Sequence, residues 1–190
     1  THPSLIDRAH LLDEVFGIVY VPSGVWINEE GMIVRPPETA YPANPDYGHR
    51  QIAPDASPRE VAQTTAVRKL RIEAEKYVSA IRDWVELGAE SQFALSSDEV
   101  LKRSRPRPIE EAEAVAQFEL GQHLYLLGRP ADAIRHFREA YRLQPDNWTY
   151  KRQAWSLLEP GQDPLEVYGG DWLTDVTKIG AENYYPPLKL

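Results

Sequence analysis

The chain has 190 residues, 42% hydrophobic and 26% charged, with a formal net charge of −8 and no cysteine. The charge argues against a general nucleic-acid binder, which needs a basic face to neutralise phosphates. The missing cysteines remove disulfides, thiolate metal sites and thiol nucleophiles, and no apolar run approaches the roughly 18 residues of a membrane-spanning helix.

From the N-terminus, Ser4 to Asp7 reads as a short strand. A helix from Arg8 to Phe16 follows, with Leu11, Leu12, Val15 and Phe16 on one face and Gly17 as its stop. Pro22 then precedes a hairpin: Gly24 to Asn28 outward, Glu29-Glu30-Gly31 as the turn, Met32 to Arg35 back. Residues 36–62 carry Pro36, Pro37, Pro42, Pro45, Pro54 and Pro58 and predict an irregular crossing. Val67, Leu70, Ala74, Tyr77, Val78, Ile81, Trp84 and Val85 recur at helical spacing and predict one long helix over 63–88, ended by Gly88. Ser96 or Ser97 caps a short helix through Lys102. The cluster Lys102-Arg103-Ser104-Arg105-Pro106-Arg107-Pro108 reads first as a solvated linker and second as a site for phosphate or an acidic partner.

Residues 114–145 hold the most specific pattern. Leu120 and Gly121 sit in a first helix, and Gly128 falls in a turn. Ala133, Phe137 and Ala140 run down a second helix, and Pro145 closes the unit. Gly121 and Ala133 allow two antiparallel helices to approach, and Phe137 fills the space between them. This spacing resembles one tetratricopeptide repeat, over about 112–145. The resemblance implies a helical pair of a kind that mostly binds other proteins. It points Phe118, Gln122 and Tyr125 toward the concave side, where some repeats clamp a terminal carboxylate with Lys and Asn; Phe118 and Gln122 do not match that pattern. The alternative is an architectural pair packed on the 63–88 helix and the tail.

Beyond the repeat, Trp148 to Leu158 predicts a third helix that caps the array, and Asp171 to Ile179 a last short one. Prolines extend the end, Asn183 to Leu188. The aromatics Trp148, Tyr150, Trp155, Tyr168, Trp172, Tyr184 and Tyr185 read as a strap over the helices or as an interface. His2, His10, His49, His123 and His136 show no metal-ligand spacing, and no glycine-rich phosphate loop occurs. No cofactor or metal is expected.

The first 35 or so residues carry a second resemblance. Leu5-Ile6-Asp7, the following helix, Val21-Pro22 and the acidic-Gly hairpin resemble the second half of a thioredoxin-like domain of the redoxin branch. In that family a Val-Pro pair ahead of a hydrophobic strand faces the redox site, so the likeness implies a peptide-facing role for Pro22. The family's Cys-containing first half has no counterpart here.

The expected fold is α+β: a partial thioredoxin-like βαββ unit at 1–37, a Pro-rich connection at 38–62, and a helical region with one repeat at 63–190. Phe118, Gln122, Tyr125 and Pro22 are the candidate binding residues. The expected function is non-enzymatic protein–protein interaction, with a protein partner or self-association through the N-terminal sheet, no nucleic acid and no membrane. The cytoplasm is the favoured compartment. The alternative is the C-terminal portion of a redoxin-type thiol oxidoreductase.

Overall fold

The computed structural model describes residues 4–7, 10–41, 49, 51–104 and 106–190. Expectations placed on His2, Arg8, Pro42, Pro45 and Arg105 lie outside them. The fold is α+β: a two-stranded antiparallel sheet near the N-terminus, then helices. Residues 4–7 form no strand, and Leu5 and Ile6 are 90% and 85% exposed. Of the expected βαββ unit, the described residues therefore keep one helix and the hairpin. Two apolar residues with nothing to pack against cannot offset the entropy of an ordered strand.

The chain divides into two compact units, and each is discontinuous: Thr1–Val21 with Ser104–Tyr168, and Pro22–Arg103 with Gly169–Leu190. The division is not the one expected at residues 37 and 62. The boundary at Val21 separates the first helix from the hairpin, the two pieces that carried the redoxin likeness.

In the second unit, β1 (Ser23–Ile27) pairs with β2 (Ile33–Thr39). The Asn28 side chain builds the turn by accepting from the Glu30 and Met32 amides at 3.1 and 2.8 Å. β2 runs further than Arg35 and includes Pro36 and Pro37, which sequence reading assigned to the irregular crossing. They fit because the register shifts there: Trp26 faces Arg35 and Gly24 faces Glu38, so the two prolines oppose Val25 alone. A residue without an N–H cannot serve a regular ladder, and a bulge removes the demand.

The helix expected over 63–88 is two helices, α2 (Pro58–Arg68) and α3 (Ala74–Leu87). The first begins earlier than expected because Ser57 and Glu60 form a reciprocal capping box and Pro58 takes the first turn. Nothing in residues 69–73 breaks a helix by composition. The two helices serve different neighbours. Arg59 of α2 pairs with Asp171, the N-cap of a C-terminal helix (Trp172–Ile179). Tyr77 and Trp84 of α3 pack on Trp26, whose ring stacks on Trp84 at 5.0 Å. Glu73, at the start of α3, accepts the Leu188 amide at 2.8 Å.

Arg35 organises this unit. It is 1% exposed, and its guanidinium donates to the Glu38 carboxylate (2.9 Å), the Phe93 carbonyl (2.7 Å) and the Lys189 carbonyl (2.8 Å). A buried cation is tolerable only when its donors are satisfied in this way. The same group ties hairpin, loop and C-terminal tail together. Tyr184 and Tyr185 are buried beside Trp172 and Tyr41, so the tail does act as a strap within this unit.

In the first unit, a short helix α1 (Leu11–Phe16) ends at Gly17, which takes a positive φ. The repeat follows as α5 (Ile109–Leu126) and α6 (Pro130–Leu143), after α4 (Ser97–Arg103) of the other unit. Then come α7 (Trp148–Ser156) and α8 (Pro164–Tyr168); the helix after Asp171 is α9. Proline and an acidic first turn open α6, and Gly128, at φ 73°, makes the turn between α5 and α6. α8 has no apolar period long enough to read in advance. Ala114, Phe118, Ala133, Phe137, Ala140, Tyr150 and Ala154 form one core.

The helices α5 and α6 touch where Gly121 meets Phe137. A Cβ on Gly121 would lie 2.7 Å from the Phe137 ring. Two substitutions test this packing. Phe137→Ala leaves a cavity and is expected to cost about 3–5 kcal/mol. Gly121→Ala is expected to destabilise by about 1–3 kcal/mol despite alanine's better helix propensity, because the ring must move. Thermal melts of both variants measure this, and an unchanged melting temperature for either would contradict the packing.

Candidate functional site

The repeat's first helix carries three of the four residues singled out from the sequence, and the structure places them differently. Phe118 is 2% exposed. Its ring stacks on Tyr150 of α7 at 4.1 Å and tilts against Phe137 at 5.7 Å. It is a core residue, and its faces are taken up within the chain. Tyr125 is partly buried against the same core. Gln122 is partly buried, and its amide nitrogen finds no hydrogen-bond partner among the described residues. Pro22 belongs to the other compact unit, where its carbonyl accepts from the Ala40 amide at 3.1 Å. Phe118, Gln122 and Tyr125 thus share α5 in one unit, and Pro22 lies in the other.

The first helices of successive pairs, α5 and α7, carry something else: residues 10–19. His10 stands edge-on to Phe118, with ring centroids 5.4 Å apart. The Arg107 guanidinium donates to the Glu14 carbonyl at 2.6 Å and to its carboxylate at 3.3 Å. The carbonyl of Val19 accepts the Trp148 amide at 2.6 Å and the Thr149 amide at 3.2 Å. Those two amides belong to the open end of α7, where helical donors have no partner in their own helix. Asn147 satisfies a third, the Tyr150 amide, at 3.0 Å. A distant backbone carbonyl thus completes the cap of α7.

Arg107 comes from the basic cluster expected to be a solvated linker. Arg107 and Arg103 are exposed, and each also makes a tertiary contact, Arg103 donating to the Lys189 carbonyl at 2.7 Å within its own unit. Arg107 sits just ahead of α5, fixed there by Pro106 and Pro108. Sequence reading missed the strap of residues 10–19 because about ninety residues separate it from the repeat. The usable signal was charge: Asp13 and Glu14 on one side, the basic cluster on the other.

The electrostatics of the strap run in one direction. A hydrogen bond to Asp13, at 2.8 Å, raises the His10 pKa above its usual 6.5; the charge of Asp7 and a hydrogen bond to Gln153 add to this, while burial opposes it. Burial, helped by the charge of Glu14 and a hydrogen bond with it, raises the pKa of Glu119 on α5, and Arg107 opposes the shift. Burial pushes the Tyr150 hydroxyl up to about 12. His10 has a positive φ, the only non-glycine to do so among the described residues. Such backbone persists where surrounding contacts hold it.

On α6, His136 bonds Gln117 at 2.8 Å and joins the pair's two helices. Lys151 of α7 is buried between the Tyr141 and Trp148 rings, 4.4 and 4.6 Å from their centroids. Trp148 and Tyr150 are therefore core residues of this unit, where the sequence also allowed an interface.

The tetratricopeptide repeat family model matches residues 114–147. No match to a curated protein or to a solved structure reaches significance. The matched stretch runs from the middle of α5 through the turn ahead of α7, and units of this class generally serve protein–protein interaction. Among the described residues, no helix is long and apolar enough to cross a membrane.

The His10 shift makes a pH prediction. Its folded pKa is raised, so its contribution is full below the unfolded value near 6.5 and is lost as pH rises through the folded value. His10→Asn tolerates the positive φ and cannot titrate. Melts of both proteins from pH 5.5 to 8.5 are expected to show wild type ahead at the acid end, with the gap closing as pH rises. A gap that widens with pH would contradict the assignment.

Proposed function

We propose that the chain is a non-enzymatic protein–protein interaction module whose recognition face is carried by the first helices of its repeat array, α5 and α7. The observation that supports this most is the coincidence of the repeat match with the α5–α6 pair, followed by α7 in the place of a next first helix. Tyr125 and Gln122 are the α5 residues on this face that keep some surface, both being partly buried. Nucleic acid is not the proposed partner, because the net charge of −8 opposes it.

The alternative, a C-terminal portion of a thiol oxidoreductase without its Cys-containing half, has no observation in its favour: the strand at 4–7 that it needs is not formed. Self-association through the N-terminal sheet is also less well supported than a protein partner. β1 and β2 pair with each other, Trp26 is buried under α3, and the Val34 carbonyl accepts the Leu95 amide at 3.0 Å.

Site-specific photocrosslinking tests the proposal. A benzoylphenylalanine at Tyr125 is expected to give discrete protein adducts in cells of the source organism. The same group at Arg135, on the exposed side of α6, is expected to give few. Equal yields at both positions, or none at Tyr125, would contradict an α5–α7 recognition face.

A further inference from the structure

The strap is a peptide already seated on the proposed recognition face, and its attachments describe what that face accepts. Resting on the reading above, we propose that residues 10–21 occupy the α5–α7 face in place of a partner. The partner is a short helix with an acidic turn, running into an extended segment, and it binds by displacing the strap.

The first support is the nature of the strap's attachments. They are a guanidinium on a carboxylate and a helix-end carbonyl, an aromatic edge on Phe118, and a backbone carbonyl on the open end of α7. Each of these recognises a class of group. A helical peptide with a carboxylate toward its C-terminal end and a free carbonyl a few residues on would satisfy all the same donors.

The second support is how lightly α1, the helical part of the strap, is held. α1 is six residues long, and none of its residues is buried. Leu11, Leu12 and Val15 remain largely exposed, so detaching α1 moves little apolar surface into water. A helix this short does not persist alone, so the released segment gains chain entropy. Release also relieves the left-handed backbone at His10.

The third support is that the face cannot stay bare. Phe118 and Tyr150 stack at its base, and the Trp148 and Thr149 amides need an acceptor. Displacement therefore requires an occupant that restores these contacts, which separates exchange by a partner from simple fraying.

The probe is a fluorescein-labelled peptide of residues 10–21, with a scrambled control. It is added to the full chain and to a full-length His10→Gly, Glu14→Ala variant, whose changes lie in the strap and leave α5 and α7 untouched. Amide exchange at Trp148 and Thr149 is followed in both proteins. The variant is expected to show faster exchange at these two amides, to bind the probe at least tenfold more tightly than wild type, and to regain protection when the probe is bound. Adding Arg107→Ala to the variant is expected to weaken probe binding at least fivefold.

If the two amides exchange no faster in the variant, the strap is fixed structure and the inference fails. If they exchange faster but the probe binds no better than its scrambled control, the face does not take this class of peptide, and the inference fails again. In either case, adducts at Tyr125 would still report on the interaction module itself, so the two readings fail separately.

Discussion

The close approach of α5 and α6 at Gly121 and Phe137 is the constraint on which the repeat unit depends. With no side chain at Gly121, the Phe137 ring can lie against the backbone of α5. That ring sets the position of Phe118, and Phe118 sets that of Tyr150 through their stacking. The three aromatics carry the packing from α6 through α5 to α7. The strap meets the same stack where the His10 ring stands edge-on to Phe118.

The second unit is organised by a charge instead. Arg35 reaches the hairpin, the loop at Phe93 and the tail at Lys189 from one guanidinium. Trp26 lies 5.4 Å from the same group and stacks on Trp84. A two-stranded hairpin is marginal by itself. Here its buried face is completed by α3 and by a tail that returns about 150 residues later. The two units solve the same problem of a small core in different ways, one by ring-on-glycine packing and one by a satisfied buried cation.

What the sequence made legible follows from range. The α5–α6 pair, its turn glycine and the residues between its helices could be read because their signals repeat within 32 residues. The hairpin was legible for the same reason, although its length was not, since two prolines in a strand make sense only once the bulge opposite Val25 is known. The break between α2 and α3 was not legible. Its cause is tertiary: α2 answers to Asp171 and α3 to Trp26 and Leu188, and local propensity is weaker than those partners. The candidate site fared worst. Phe118 was placed on a binding face from its helical position, but Tyr150 and Phe137 cover its ring, and His10 meets it edge-on from about a hundred residues upstream. The likeness of the first residues to a redoxin half failed to anticipate that Leu11–Phe16 and the hairpin belong to different compact units.

The claim that residues 10–19 belong to the repeat unit can be tested by heteronuclear NMR on the full chain labelled with nitrogen and carbon isotopes. Nuclear Overhauser contacts are expected between the His10 ring and the rings of Phe118, whose centroids lie 5.4 Å apart. A through-hydrogen-bond coupling is expected from the Trp148 amide to the Val19 carbonyl, at 2.6 Å. Both signals at pH 6 would establish the strap on the α5–α7 face. Random-coil shifts for residues 10–19, with neither signal present, would contradict it.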